Sequence, residues 1–148
     1  MTPQPAQKMI FVNLPVQDLP RSVAFYEGIG AKRDERFCGP ESGCMVISET
    51  IVVMLLTHNH FSQFTKKQIG DPRNTAQVLL SLSQESRAAV DAIVQNAAAL
   101  GGRIDTGGVH DEGFMYGRDF EDPDGHGWGV LWMDMAAFEA AQKTQTAA

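Results

Sequence analysis

Lys8-Met9-Ile10-Phe11-Val12-Asn13-Leu14-Pro15-Val16, followed at once by Gln17-Asp18-Leu19-Pro20-Arg21-Ser22-Val23-Ala24-Phe25-Tyr26-Glu27-Gly28, is the stretch that decides the fold. The first nine residues are rich in β-branched and apolar side chains and read as a strand. Asp18 stands where a carboxylate can cap a helix. Pro20 is tolerated in the first turn because the N–H it removes would have no partner inside the helix. Val23, Tyr26 and Ile29 recur at helical spacing, and Gly28 with Gly30 supplies the stop, so a helix is expected over 19–28.

Working outward, three short strands are expected near 31–37, 44–49 and 51–57, separated by Gly39-Pro40-Glu41-Ser42-Gly43 and by a turn at Glu49-Thr50. The order then repeats. Gln77 to Leu82 reads as a strand and Ser83 as a cap; Val90, Ile93, Val94, Ala97 and Leu100 fall on one helix face before Gly101-Gly102. Strands are expected near 103–106, 114–121 and 126–133, the last two joined by Asp122-Pro123-Asp124-Gly125. The organisation implied is an N-terminal tail over 1–7, one βαβββ module over 8–70, a second over 75–134, and an Ala-rich helix or tail over 135–148. Each module has one helix to cover one face of its sheet, so the other face must be buried by the partner module or left as a ligand cleft. The expected architecture is therefore α+β, with a cupped mixed sheet around a central cleft.

The bulk properties narrow the function. The 148 residues are 43% hydrophobic and 20% charged, which suits a chain that buries a core rather than a disordered one. A net charge of −6 offers no basic footprint for nucleic acid. Neither a targeting segment nor a membrane span is readable, so a cytoplasmic protein is expected. Cys38 and Cys44 are too few for a disulfide framework and are read as free thiols.

Leu14-Pro15-Val16-Gln17-Asp18-Leu19 leading into Arg21-Ser22-Val23-Ala24-Phe25-Tyr26, together with Phe120-Glu121-Asp122-Pro123-Asp124-Gly125-His126, resembles the vicinal oxygen chelate superfamily of glyoxalases, bleomycin resistance proteins and extradiol dioxygenases. The likeness covers about residues 8–134. Gly113-Phe114-Met115-Tyr116-Gly117-Arg118 and Trp132-Met133-Asp134 are similar to a subgroup described as lactoylglutathione lyase-related. Metal-dependent members of such a superfamily hold a divalent ion with His, Gln or Glu on the first and fourth strands of each module, where it chelates two substrate oxygens. The resemblance maps those four places onto Phe11, Leu55, Gln77 and Gly129. Only Gln77 has a donor, a neutral amide oxygen, so no metal or other cofactor is expected.

If the Asp122–Gly125 turn is a plain four-residue loop, paired residue numbers across the hairpin add to 247. Arg118 then faces Gly129 and Tyr116 faces Leu131, on the cleft side, with Trp128, Val130 and Trp132 beneath the helix. Arg118 could grip an anion, with Tyr116 as a neutral donor and Phe11, Leu55 and Met133 as apolar walls; equally, it could salt-bridge Asp119, Glu121 or another acid and fill space. His58 and His60 could bind metal in a shifted set with Gln77 and either His60 or Glu121, or lie in a polar loop; His110 and His126 could carry protons. Phe61 and Phe64 suit a lid or an inter-module loop. The reading is a superfamily member without the usual metal, binding a small apolar or anionic molecule in the inter-module cleft as a homodimer, with catalysis left open. The rivals are a metal-dependent lyase or dioxygenase with a shifted ligand set, and a protein with a collapsed cleft that acts only through partners.

Overall fold

The computed structural model describes residues 5–147, so residues 1–4 of the expected N-terminal tail and the last residue of the expected C-terminal segment lie outside the described residues. The chain divides into two compact units, one ending at Asp71 and the other beginning at Pro72.

In the first unit, β1 (Ile10–Val16) runs parallel to β4 (Ile51–Thr57), β3 (Ser42–Val46) runs antiparallel to β4, and β2 (Lys32–Arg33) completes the order β1-β4-β3-β2. Between β1 and β2 lies α1 (Leu19–Gly28), whose start is fixed as expected: the Asp18 carboxylate accepts from the backbone N–H of Arg21 at 3.1 Å. α1 lies on β3 and β4. Leu14 and Val16 of β1, Val53 and Leu55 of β4 and Met45 of β3 share its face of the sheet and are buried with Phe25 and Tyr26. Gly43 is needed there, because a Cβ at that position would stand 2.8 Å from Val23 Cγ2. Phe11, Asn13 and Pro15 alternate onto the opposite face with Val52, Met54 and Leu56.

Two expectations for this unit change. The strand expected over 31–37 shrinks to Lys32–Arg33 and gives way to a 3-10 turn at Glu35–Phe37, because Asp34 caps that turn, accepting from the Arg36 N–H and pairing with its guanidinium at 2.8 Å. The polar segment after β4 opens with a single helical turn, α2 (His58–Phe61), capped by the Thr57 hydroxyl.

In the second unit, β5 (Leu80–Ser83) is parallel to β8 (Gly127–Met133), β7 (Met115–Glu121) is antiparallel to β8, and β6 (His110–Asp111) closes the order β5-β8-β7-β6. α3 (Arg87–Ala99) covers β7 and β8, burying Val90, Val94 and Ala97 against Phe120, Trp128 and Val130. The cap is Ser86, not Ser83, which belongs to β5; Leu100 lies past the last helical turn and is exposed. The strand expected at 103–106 is one bridge, Ile104 to Phe120, and the fourth strand forms at His110–Asp111 instead. α4 (Met135–Ala147) follows, anchored by the Phe138 ring 5.4 Å from that of Phe114. Two four-stranded mixed sheets, each carrying a helix, give the α+β fold of paired βαβββ modules. No described helix is long and apolar enough to cross a membrane.

The hairpin register differs by one from the expectation. Asp122 donates its N–H to the His126 carbonyl at 3.0 Å and accepts from the Gly125 N–H at 3.0 Å, so the loop has three residues, Pro123-Asp124-Gly125, with Gly125 at φ +99°. The Asp122 carboxylate tightens it by accepting from the N–H groups of Asp124 and His126. Arg118 consequently pairs with Val130, Asp119 with Gly129 and Gly117 with Leu131. A shift of one residue turns every side chain of β7 to the opposite face relative to β8.

Candidate functional site

Period-two alternation and the observed register assign the face of the second sheet that turns away from α3. Row by row it carries Met115 beside Met133; His110, Gly117, Leu131 and Ser83 across four strands; then Asp119, Gly129 and Ser81; and finally Glu121 beside Gly127. A concave pocket of about 340 Å³ lies over this face, with Gly127 and Gly129 among its lining residues and Leu79, Met115 and Leu131 as large apolar ones. A Cβ at Gly127 would meet nothing within 4 Å, whereas one at Gly129 would fall 2.9 Å from the Ser81 hydroxyl oxygen. That hydroxyl lies where a side chain at 129 would begin.

The polar groups are few. Asp119 accepts from the N–H and hydroxyl of Thr106, each at 2.8 Å, and from the Gly107 N–H at 2.9 Å, pinning the loop that enters the pocket rim. His110 Nε2 lies 3.1 Å from the Gly107 carbonyl. Ser81 makes no side-chain hydrogen bond among the described residues.

Arg118 and Tyr116, expected on the open face, belong to the helix-covered face instead. The Arg118 guanidinium is bound by the Asp105 carboxylate through two hydrogen bonds of 3.0 and 2.7 Å and by Asp91 of α3 at 3.0 Å. Its side chain is only 13% exposed, and the hydrogen bond to Asp105 raises its pKa further. Tyr116 donates to Asp91 at 2.6 Å, which raises the phenol pKa and, with the Arg118 contact, lowers that of Asp91. Arg87 stands over the Tyr116 and Trp132 rings and forms two 2.8 Å hydrogen bonds with Asp111, whose pKa falls to about 2. The arginine thus fills space between acids, though its partners are Asp105 and Asp91 rather than Asp119 and Glu121.

The remaining expected positions scatter. Leu55 has no exposed surface and faces α1, so it is core; Met54 and Leu56 lie on the opposite face, where Leu56 is buried as well. Phe11 is on the open face of the first sheet and is 55% exposed. Gln77 is exposed in the segment before β5, outside the strand. Gly129 and Leu131 line the pocket over the second sheet. The His60 ring stacks edge-on against Phe64, with Nδ1 3.9 Å from a Glu41 oxygen. Among the described residues no group of three or more His, Cys, Asp or Glu is arranged to hold a metal ion.

Ser81 and Gly127 were not singled out from the sequence, Gly117 entered only within a motif, and Asp119 only as a possible partner of Arg118. The available signal was Gly127-x-Gly129 inside a strand otherwise built of Trp, Val and Leu, which marks one face bare of side chains.

Residues 8–130 match the family described as Glyoxalase/Bleomycin resistance protein/Dioxygenase superfamily. The chain belongs to this superfamily. No curated protein matches it. Among solved structures, a hypothetical protein from S. aureus is similar at 28% identity and a TM-score of 0.71, covering 87% of this chain and 95% of the other. A glyoxalase/bleomycin resistance protein/dioxygenase family enzyme from Burkholderia phytofirmans PsJN shares 19% identity at a TM-score of 0.69, covering 86% of this chain and 99% of its own. The fosfomycin resistance protein FosX from Mesorhizobium loti shares 14% at 0.63, covering 88% and 96%. Likeness at the last two identities concerns the fold alone. The superfamily's metal does not fit the donors at the four mapped places: phenyl, isobutyl and hydrogen side chains offer none, and the Gln77 amide stands outside its strand.

Proposed function

We propose that this superfamily member binds a small, largely apolar molecule on the open face of its second sheet and does so without a metal ion. The single observation that carries the reading is a pocket of about 340 Å³ over an open floor at Gly127, beside Gly129, which stands where the resemblance puts a metal-holding carboxylate. The volume suits a compact ligand, and the apolar lining supplies the drive for burial. An anionic ligand loses support because the guanidinium that would grip it is held by Asp91 and Asp105. Binding needs only the shaped cavity, whereas catalysis needs a general acid and base placed about a reacting atom.

Thermal stabilisation across a panel of planar apolar compounds tests the reading, with elemental analysis of protein purified without chelator beside it. The expected result is stabilisation by some compounds that is lost in Gly127→Val, a variant whose Cβ meets nothing within 4 Å and whose methyl groups enter the floor. Stoichiometric metal retained through dialysis overturns the metal-free part.

The same reading takes the chain as a cytoplasmic homodimer. The dimer is supported by β1 and β5 both being sheet edges and by Ile10, Phe11 and Leu79, at 55%, 55% and 83% exposure, being large apolar groups on or beside them. Sedimentation at micromolar concentration distinguishes monomer from dimer.

A further inference from the structure

We propose that the pocket selects a planar molecule carrying a hydrogen-bond-donating or cationic group, of the amidinium or aromatic amine class, over the corresponding carboxylate. This rests on the ligand-binding reading above and assigns it a charge preference.

Shape comes first. Gly117 and Gly127 leave backbone as the floor, with the Ser81 hydroxyl beside Gly129, so a flat ring can approach it at van der Waals distance, while Leu79, Met115 and Leu131 provide apolar edges. A branched aliphatic ligand would touch such a floor at fewer points.

Charge comes second. Asp119 and Ser81 flank Gly129 on the two neighbouring strands, which places their backbones about 10 Å apart, the span of two interstrand spacings. The Asp119 carboxylate accepts three hydrogen bonds, leaving one of its roughly four acceptor positions for a ligand. The Ser81 hydroxyl, without a partner among the described residues, can donate or accept. Among the described residues, Arg118 is paired on the helix side, Arg103 lies beside Glu121 with their charged atoms 3.8 Å apart, and the His110 ring in the pocket lining contacts the Gly107 carbonyl at 3.1 Å rather than the Asp119 carboxylate. A donor on the ligand thus gains a charge-assisted hydrogen bond, and a carboxylate meets a like charge.

The test is an isosteric series, 2-naphthamidine, 2-naphthamide and 2-naphthoate, titrated by NMR against the full chain and against Gly127→Val. The expected order is amidine, then amide, then carboxylate, with about tenfold between first and last at low salt, the size of one charge-assisted hydrogen bond. In Asp119→Asn the amidine and amide should converge to within about twofold. Because Asp119 also holds the Thr106 loop, the wild-type ratio decides the matter if that variant melts early. Naphthoate binding as tightly as the amidine overturns the charge preference and leaves the pocket reading standing. Failure of all three probes to bind, or unchanged binding in Gly127→Val, sinks the pocket reading and the preference with it.

Discussion

The two helix-on-sheet interfaces of this molecule share a topology and are filled by opposite means. Beneath α1 the contact is apolar: Leu14, Val16, Met45, Val53 and Leu55 meet Phe25 and Tyr26, whose rings lie edge to face at 5.4 Å. Beneath α3 the apolar part, Val90, Val94, Phe120 and Val130, is joined by a polar network in which Arg118 ties Asp91 of the helix to Asp105 of the following loop and Tyr116 adds a further hydrogen bond to Asp91. One βαβ frame accepts either solution, provided every buried polar group finds its partner; no side-chain nitrogen or oxygen buried among the described residues lacks one. The second solution is more fragile, because removing one member leaves charges facing each other.

The contrast can be broken first on the apolar side. Leu55→Ala should cost about 3 kcal/mol in denaturant unfolding through the cavity it leaves under α1, with no effect on ligand binding by the second unit; a lost ligand with unchanged stability would make Leu55 a site residue after all. On the polar side, Arg118→Met should cost about 2 kcal/mol, less than a fully buried pair because Asp91 and Asp105 retain 41% and 26% side-chain exposure. A double substitution with Asp105→Asn should recover part of that loss.

Register can be challenged separately. Gly125→Ala should destabilise by about 1–2 kcal/mol, since Gly125 sits at φ +99° and a Cβ would approach the Arg73 backbone to 3.0 Å; a neutral effect would argue for a wider, even-numbered turn. The smallest effect is the pH response. Asp91 and Asp111 both have folded-state pKa values below the ordinary carboxylate value, Asp91 through Tyr116 and Arg118, Asp111 through Arg87 and at about 2. Groups depressed on folding contribute stability above their unfolded pKa and lose it as pH falls through the folded one. Melting temperature should therefore decline from about pH 4 towards about pH 2, and Asp111→Asn should flatten part of that slope.

The modules were legible because their signals are local. Asp18 and Pro20 fix where α1 begins, β-branched runs mark β1 and β4, and the Asp122-Pro123-Asp124-Gly125 turn marks the β7–β8 hairpin. Other features were missed for physical reasons. Asp34 redirected a strand into a 3-10 turn by bonding its own neighbour, and Ser86 rather than Ser83 capped α3 because β5 runs through Ser83 to pair with Leu131.

From the residues alone came the paired βαβββ order, the superfamily, the want of metal donors at Phe11, Leu55 and Gly129, and the tryptophans beneath the helix. Tertiary structure alone decided which face Arg118 and Tyr116 occupy. Asp122-Pro123-Asp124-Gly125 suits a three-residue loop as well as a four-residue one, and the choice rests on whether Asp122 pairs with His126 across the hairpin. A sheet alternates with period two, so that one hydrogen bond determines whether the guanidinium meets a ligand or Asp91 of the covering helix.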